Sequence, residues 1–254
     1  MLVLLPPSEG KASGGTGANL QLDRLSFPAL TPVRARLVSA LARLAVEQPD
    51  GLRLALGLSG GQSAALAANT ALTTSGTLPA LRRYTGVLYD ALDYPALRGT
   101  ARGRADRSLV VASALFGLLR PRDRIPDYRL SGGSVLPGVG GLGALWRPVV
   151  EPELAAVRGL VVDLRSGVYA GLARVPNAVE VRVLREQDGR RSVVSHDNKY
   201  AKGQLARVLC ERGAHSLQDV AEAGRSVADD VEIEGRRIDL LLHGLARQRA
   251  SIAP

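Results

Sequence analysis

Leu109–Val110–Val111–Ala112–Ser113–Ala114–Leu115–Phe116–Gly117–Leu118–Leu119–Arg120–Pro121–Arg122–Asp123–Arg124–Ile125–Pro126–Asp127–Tyr128–Arg129–Leu130 begins apolar and ends charged. The run Leu109–Ala112 reads as a buried strand. Gly117 permits a turn or a close backbone approach. Pro121 and Pro126 then fix the backbone twice in quick succession, with Arg120, Asp123, Tyr128 and Arg129 between and after them. A solvated loop needs no such rigidity. A site for a planar or anionic ligand gains from it, because preset backbone lowers the ordering cost of binding. The plain alternative is a strand followed by a solvated, arginine-rich loop.

The same pattern, apolar run then polar cluster, recurs on either side. Leu2–Leu5 reads as a strand, followed by a loop over Pro6–Asn19 that carries Ser8, Glu9, Gly10 and Lys11. Leu160–Leu164 reads as another, followed by Arg165, Ser166, Gly167 and Tyr169, where α/β folds place ligand groups. Between them, Val33–Glu47 puts Leu37, Val38, Leu41 and Leu44 on one helix face, with Thr31 as its N-cap and Pro32 at the first helical position. Leu52–Leu58 and Gln62–Leu72 read as short helices around Ser59–Gly60–Gly61, Pro79–Tyr84 as a helical turn and Gly86–Tyr89 as a short apolar segment. Ser131–Gly143 reads as a loop and Pro152–Val157 as a helix. Asn198–Glu211 is a helix with Lys199, Lys202 and Arg207 near one side. Ser216–Asp219 is a capping-box start, with Gly224 as the C′ residue at the other end. Two hairpins close the chain, Val179–Leu184 with Arg191–Ser195 about Asp188–Gly189, and Val227–Glu234 with Arg236–Leu242 about Glu234–Gly235. Strand–helix alternation ending in hairpins predicts a mixed α/β (α+β) fold. The expected architecture is one compact domain over residues 1–254, with a mixed sheet and a basic cleft.

Composition narrows the function. With 254 residues, 46% hydrophobic and 22% charged, the chain can bury a sizeable core. No apolar run reaches the roughly 18–20 residues of a membrane helix. Met1–Leu5 lacks a basic n-region and is stopped by Pro6 and Pro7, so it does not read as a signal peptide. A cytoplasmic protein with no membrane partner is expected. Cys210, the single cysteine, excludes an internal disulfide framework and lies on the apolar side of its helix as a core residue. A net charge of +9 and a pI near 10.4 favour polyanionic partners; an evenly spread, arginine-rich surface is the alternative. Only Lys11, Lys199 and Lys202 are lysines among 33 basic residues. Each is therefore a candidate for a position where a compact ammonium with an adjustable pKa is wanted; chance retention is the alternative.

Several motifs fail. Leu58–Ser59–Gly60–Gly61–Gln62 spells the signature of ATP-binding-cassette ATPases, but the phosphate-cradling loop it requires is missing. As a hairpin between helices it could instead offer N–H groups to a DNA phosphate, or be a plain turn. His196, His215 and His243 share no ligand spacing with each other or with Cys210, so no metal and no cofactor is expected. No G-x-S-x-G nucleophile motif is present. Trp146, the only tryptophan, reads as core or lid packing rather than ligand stacking. Arg98, Arg102, Arg104 and Arg107 against Asp106 form a basic patch, either a solvated face or a phosphate contact.

What holds is the combination. If the strands are neighbours, their trailing clusters converge at one sheet edge and form an anion site. The candidate catalytic residues are Ser8, Glu9, Lys11, Asp123 and Lys199. The candidate anion- or nucleic-acid-binding residues are Lys11, Arg120, Tyr128, Arg129, Ser166, Tyr169, Lys199, Lys202 and Arg207. Tyr89 or Tyr128 would be available to stack on an exposed base.

Pro6–Pro7–Ser8–Glu9–Gly10–Lys11 after an N-terminal strand resembles the start of the YaaA family of peroxide-stress proteins. Gly86–Val87–Leu88–Tyr89 fits that family in order. So do Leu115–Phe116–Gly117–Leu118–Leu119–Arg120–Pro121 with Asp123, Tyr128–Arg129–Leu130 and Trp146, and Lys199–Tyr200–Ala201–Lys202–Gly203 with Arg207. The resemblance spans essentially the whole chain. It implies a cytoplasmic bacterial protein with a compact α/β fold and a positively charged cleft, which limits unincorporated iron during peroxide stress. It also implies DNA, duplex or distorted, as a partner through a helix–hairpin–helix element. Leu164–Tyr169 lacks the acid that often precedes the tyrosine in that family, and Leu58–Gln62 departs from the DNA-binding consensus. A second reading of the same side chains is an enzyme acting on a small anionic or nucleobase-containing substrate.

Overall fold

In the computed structural model, which describes residues 1–59, 63–187 and 189–243, Leu2–Leu5 (β1) and Leu109–Ser113 (β2) are buried at every position. Continuous burial, without the alternation of a half-exposed strand, is what a parallel strand covered on both faces requires. The two pair in parallel, Val3 opposite Leu109 and Leu5 opposite Val111. Gly117–Leu119 (β3) folds back antiparallel on β2. Val161–Asp163 (β4) lies parallel on the other side of β1. Val179–Gln187 (β5) follows β4, with Arg190–Ser192 (β6) antiparallel to its far end. Asp230–Glu234 (β7) and Arg237–His243 (β8) form the last hairpin, and β8 pairs in parallel with β5. The sheet has eight strands in the order β7-β8-β5-β4-β1-β2-β3, with β6 beside β5.

This order positions the site. The chain leaves β1 for β2 on one side and leaves β4 for β5 on the other. The crevice between the carboxyl ends of β1 and β4 is therefore the topological switch point, where connecting segments diverge and leave room for a ligand.

Helices cover the sheet around one contiguous core, in which Trp146, Leu205 and Leu209 are buried. Thr31–Glu47 (α1) starts one residue earlier than expected, with Leu30 at the N-cap. Val87–Leu92 (α2) is helical where a bare apolar segment was expected, because Leu88, Tyr89 and Leu92 anchor it in the core. Gly99–Ser108 (α3) leads into β2. Leu142–Ala155 (α4) starts well before the expected Pro152 and contains both Pro148 and Pro152. Its buried stripe of Leu142, Trp146, Val150 and Leu154, at i, i+4, i+8 and i+12, outweighs the hydrogen bonds the prolines forgo. Ser195–Arg212 (α5) packs against α2 through Gly203, where a Cβ would strike the Leu88 carbonyl and lie 2.8 Å from the Ala91 methyl. Leu217–Arg225 (α6) has the expected capping box between Ser216 and Asp219. Gly224, however, lies inside α6 rather than at C′, and a Cβ there would come 2.7 Å from Leu240 Cδ2.

Gly117 has φ +70°, and a Cβ on it would approach Trp146 to 2.8 Å. Trp146 is buried and its indole N–H donates to the Ala114 carbonyl at 2.8 Å, so its role is core packing. Cys210 is a buried free cysteine whose thiol is pushed up to about 12 by burial. Both hairpins form as expected, although Asp188 lies outside the described residues. So do Gly60–Gln62 of the proposed helix–helix turn and residues 244–254 of the expected domain. Among the described residues no helix is long and apolar enough to cross a membrane.

Candidate functional site

The loop after β1 is pinned by its own first residues. Ser8 Oγ donates to the Gly10 carbonyl at 2.5 Å and accepts from the Thr85 amide at 3.2 Å. This brings Lys11 beside Tyr84, with which it forms an isolated antiparallel bridge. The Lys11 ammonium donates to the Ser8 and Glu9 carbonyls at 3.3 Å each. It lies 4.3 Å from the centre of the Tyr128 ring and 5.7 Å from that of Tyr84. Burial against these rings pushes its pKa down to about 8; Asp127 and Glu9 pull the other way, while Arg129 and Arg83 add to the lowering.

Behind Lys11 runs a chain of hydroxyls. Ser113 Oγ, Tyr128 OH and Tyr84 OH are linked at 2.8 Å each, and the Phe116 amide donates to Ser113 Oγ at 3.1 Å. Tyr89 stacks on Tyr84 with ring centres 5.5 Å apart and donates to the Pro6 carbonyl at 2.8 Å. Burial raises the pKa of all three phenols, so they stay protonated and act as hydrogen-bonding walls. Tyr89 and Tyr128 are buried, which corrects the expectation that either could stack on a base.

Arg129 brings a second cation to the site, its charge acting on Lys11. The loop-end backbone is clamped by buried Asn69, which accepts from the Arg129 amide at 2.8 Å and donates to its carbonyl at 2.9 Å. The guanidinium then reaches Glu9 Oε2 at 3.0 Å. Tyr169 stands nearby, accepting from the Gly132 amide at 3.1 Å. Its pKa is raised by burial, and it feels the charges of Glu9 and Arg129.

The floor, under the carboxyl end of β4, joins the expected Lys202 and the strand-end Arg165 to Asp163, which was not among the expected site residues. Arg165 grips Asp163 with two side-chain bonds, at 2.9 and 2.7 Å, and donates to the Tyr169 carbonyl at 3.2 Å. Buried Lys202, from α5, donates to the Arg165 carbonyl at 3.2 Å. Its pKa too is pushed down to about 8 by burial, against the pull of Asp163 and Glu180. Lys202 thus supports the crevice through Arg165. Asp163, as the polar last residue of an apolar run, carried a signal for this. Asn69 carried none, because its partner lies 60 positions away.

The remaining expected residues do not join. Arg120 follows β3, which runs opposite to β1 and β2; its guanidinium bonds the Arg107 carbonyl, in the last turn of α3 before β2, and lies over Phe27 at 5.2 Å. Asp123 is buried and satisfied, accepting from the Arg120 amide at 2.8 Å and from the amide and hydroxyl of Ser26 at 3.0 and 2.8 Å. It ties a turn together, and its full set of partners argues against acid–base work. Arg207 pairs with Asp93 at 3.2 Å and Glu211 at 2.9 Å, clamping α5 to the end of α2. Lys199 is exposed on the first turns of α5, its side chain making no hydrogen bond or ion pair among the described residues. Ser166 is exposed at the start of a short helix and makes no side-chain cap bond. Much of the basic patch is occupied by structural contacts. Arg102 lies 3.7 Å from the Tyr94 ring centre, Arg104 bonds the Cys210 carbonyl at 2.6 Å, and Arg98 bonds the Leu97 carbonyl at 3.0 Å. Among the described residues no group of three or more His, Cys, Asp or Glu could hold a metal ion.

The crevice therefore gathers Glu9, Lys11, Arg129 and Tyr169, backed by Arg165 and Lys202. It can hold an anion between an ammonium and a guanidinium, with a carboxylate at the rim. The chain matches the family model described as "Peroxide stress protein YaaA" over residues 1–227. It is similar to a UPF0246 protein of Corynebacterium efficiens, 47% identical over 95% of this chain and 99% of the relative. It is also similar to a UPF0246 protein of Streptomyces coelicolor, 46% identical over 96% of this chain and 99% of the relative. A UPF0246 protein of Lactobacillus delbrueckii subsp. bulgaricus is 33% identical over 64% of this chain and 70% of the relative.

Proposed function

We propose that this chain, which belongs to the peroxide stress protein YaaA family, works by binding a small anionic or nucleotide ligand in the crevice between β1 and β4. One observation carries the reading: Lys11 is held by backbone carbonyls and aromatic faces rather than by a carboxylate, with the Arg129 guanidinium close enough for its charge to act on it. Lys11, Arg129 and Arg83 against Glu9 and Asp127 leave net positive charge at the site, which favours an anion. The limitation of unincorporated iron that the resemblance implies is, in this proposal, the cellular outcome of that binding.

A second reading, binding of DNA, is favoured by the net charge of +9. Calorimetric titration with adenosine monophosphate and with a short duplex, each at low and high salt, separates the two. On the first reading the mononucleotide binds, Arg129→Met weakens it about tenfold, the loss of one charge-assisted contact, and salt matters modestly. Duplex binding with a steep salt slope, unmoved by Arg129→Met, together with no mononucleotide binding, would replace it with the second. Chelatable iron in peroxide-treated cells carrying wild type or Arg129→Met then connects the site to the stress response.

A further inference from the structure

Resting on the reading of the crevice as an anion site, we infer that Lys11 is an imine-forming amine and that the crevice takes a small carbonyl compound bearing an anionic group. The geometry has the required parts. An amine that attacks a carbonyl must be free of a carboxylate partner and fixed in direction. Among the described residues Lys11 has no ion pair, and the Ser8 and Glu9 carbonyls hold its nitrogen in place. Its surroundings are the faces of Tyr84 and Tyr128, which present apolar surface to a planar carbonyl or imine. Of the two carboxylates whose charges reach it, Glu9 is drawn to Arg129 and Asp127 accepts from the Tyr128 amide at 2.7 Å. Arg129 is in turn the group suited to grip a carboxylate or phosphate on the carbonyl compound.

The charged groups facing the amine are Asp127 and Glu9, which favour the ammonium, and Arg129 and Arg83, which disfavour it; burial decides the balance, leaving a pKa of about 8. In the step itself the neutral nitrogen bonds to the carbonyl carbon and a carbinolamine forms. The carbon–oxygen bond then breaks, and the oxygen leaves as water with the two protons the nitrogen gives up. Nothing is oxidised or reduced, and no co-reactant is needed.

The scarcity of lysine makes the test decisive. The full chain is incubated at pH 8 with glyoxylate and sodium cyanoborohydride, which reduces an imine to a stable secondary amine, and labelled peptides are mapped by mass spectrometry. Exposed Lys199 is the internal reference. Lys11 should label about tenfold faster than Lys199, since an ordinary lysine is only ~0.4% free amine at pH 8 and the weaker nucleophilicity of a less basic amine takes back part of that advantage. Propionaldehyde, which lacks the carboxylate, should label Lys11 more slowly than glyoxylate does. Labelling of Lys199 at a rate equal to or above that of Lys11 overturns the inference, and if glyoxylate binding is still seen by calorimetry the anion site itself survives. Lys11 leading Lys199 with both aldehydes alike, and unchanged in Arg129→Met, keeps the imine and removes the anion site.

Discussion

Replacing Lys202 by methionine removes an ammonium that α5 buries against the Arg165 carbonyl while keeping most of the side-chain volume. Burial holds the Lys202 pKa at about 8, below the ordinary lysine value of 10.5. The folded state therefore disfavours the charged form. Its penalty is full below pH 8 and fades as pH rises toward the unfolded value, so wild-type stability gains from this group across that window. At about 1.4 kcal/mol per pH unit, linkage gives a penalty of about 3 kcal/mol at pH 7 and less than about 1 kcal/mol at pH 10. The substitution also strips the Arg165 carbonyl of its partner, which costs about 1–3 kcal/mol at either pH. Near neutrality these two effects largely offset, so stability at a single pH tells little. The difference between wild type and Lys202→Met is the measurement, read by urea denaturation at pH 7 and pH 10. It should move against the variant by about 2.5 kcal/mol between the two. Lys11, also lowered to about 8, titrates in both proteins and cancels. A difference that stays constant within about 1 kcal/mol would show that Lys202 is not held charged in a desolvated position, and the support of the crevice floor described above would be wrong.

Three further substitutions test the scaffold. Gly203→Ala improves helix propensity by up to about 1 kcal/mol, but its methyl would strike the Leu88 carbonyl of α2. A net loss of about 2 kcal/mol is expected, and a thermal midpoint equal to or above wild type would refute the close α2–α5 contact. Asp123→Asn turns an amide N–H₂ toward donors that now meet a carboxylate. It should lower stability by about 1–3 kcal/mol while leaving mononucleotide affinity unchanged; an affinity loss with stability intact would restore Asp123 to the site. Arg34 is fully buried and donates to the carbonyls of Ser26, Phe116 and Leu118 at 2.7–2.8 Å. Arg34→Met should cost about 3 kcal/mol or more in denaturation experiments, and a loss below about 1 kcal/mol would contradict its role as the peg of the β2–β3 turn.

The sequence by itself determined where the apolar strands lie and that each is followed by polar residues. Strand identity is a local property: Leu2–Leu5 and Leu109–Ser113 have too few residues for a buried helix and no polar face to expose. The hairpins, the capping box and the core role of Trp146 were legible for the same reason, since turn chemistry and burial of a large ring depend on near neighbours. The retained Lys11 and Lys202 were legible through composition. Only the tertiary structure decided which clusters meet. Strand direction assigns a cluster to one end of the sheet or the other, and β3 runs antiparallel. That single reversal carries Arg120 away from the crevice, while the stiff Pro121–Pro126 segment brings Tyr128 and Arg129 back to it. Burial made the same kind of decision for Asp123 and Arg207, whose charges are spent on a turn and a helix pair. It also made Asn69 and Arg165 matter, because their partners are set by packing across the chain rather than by spacing along it.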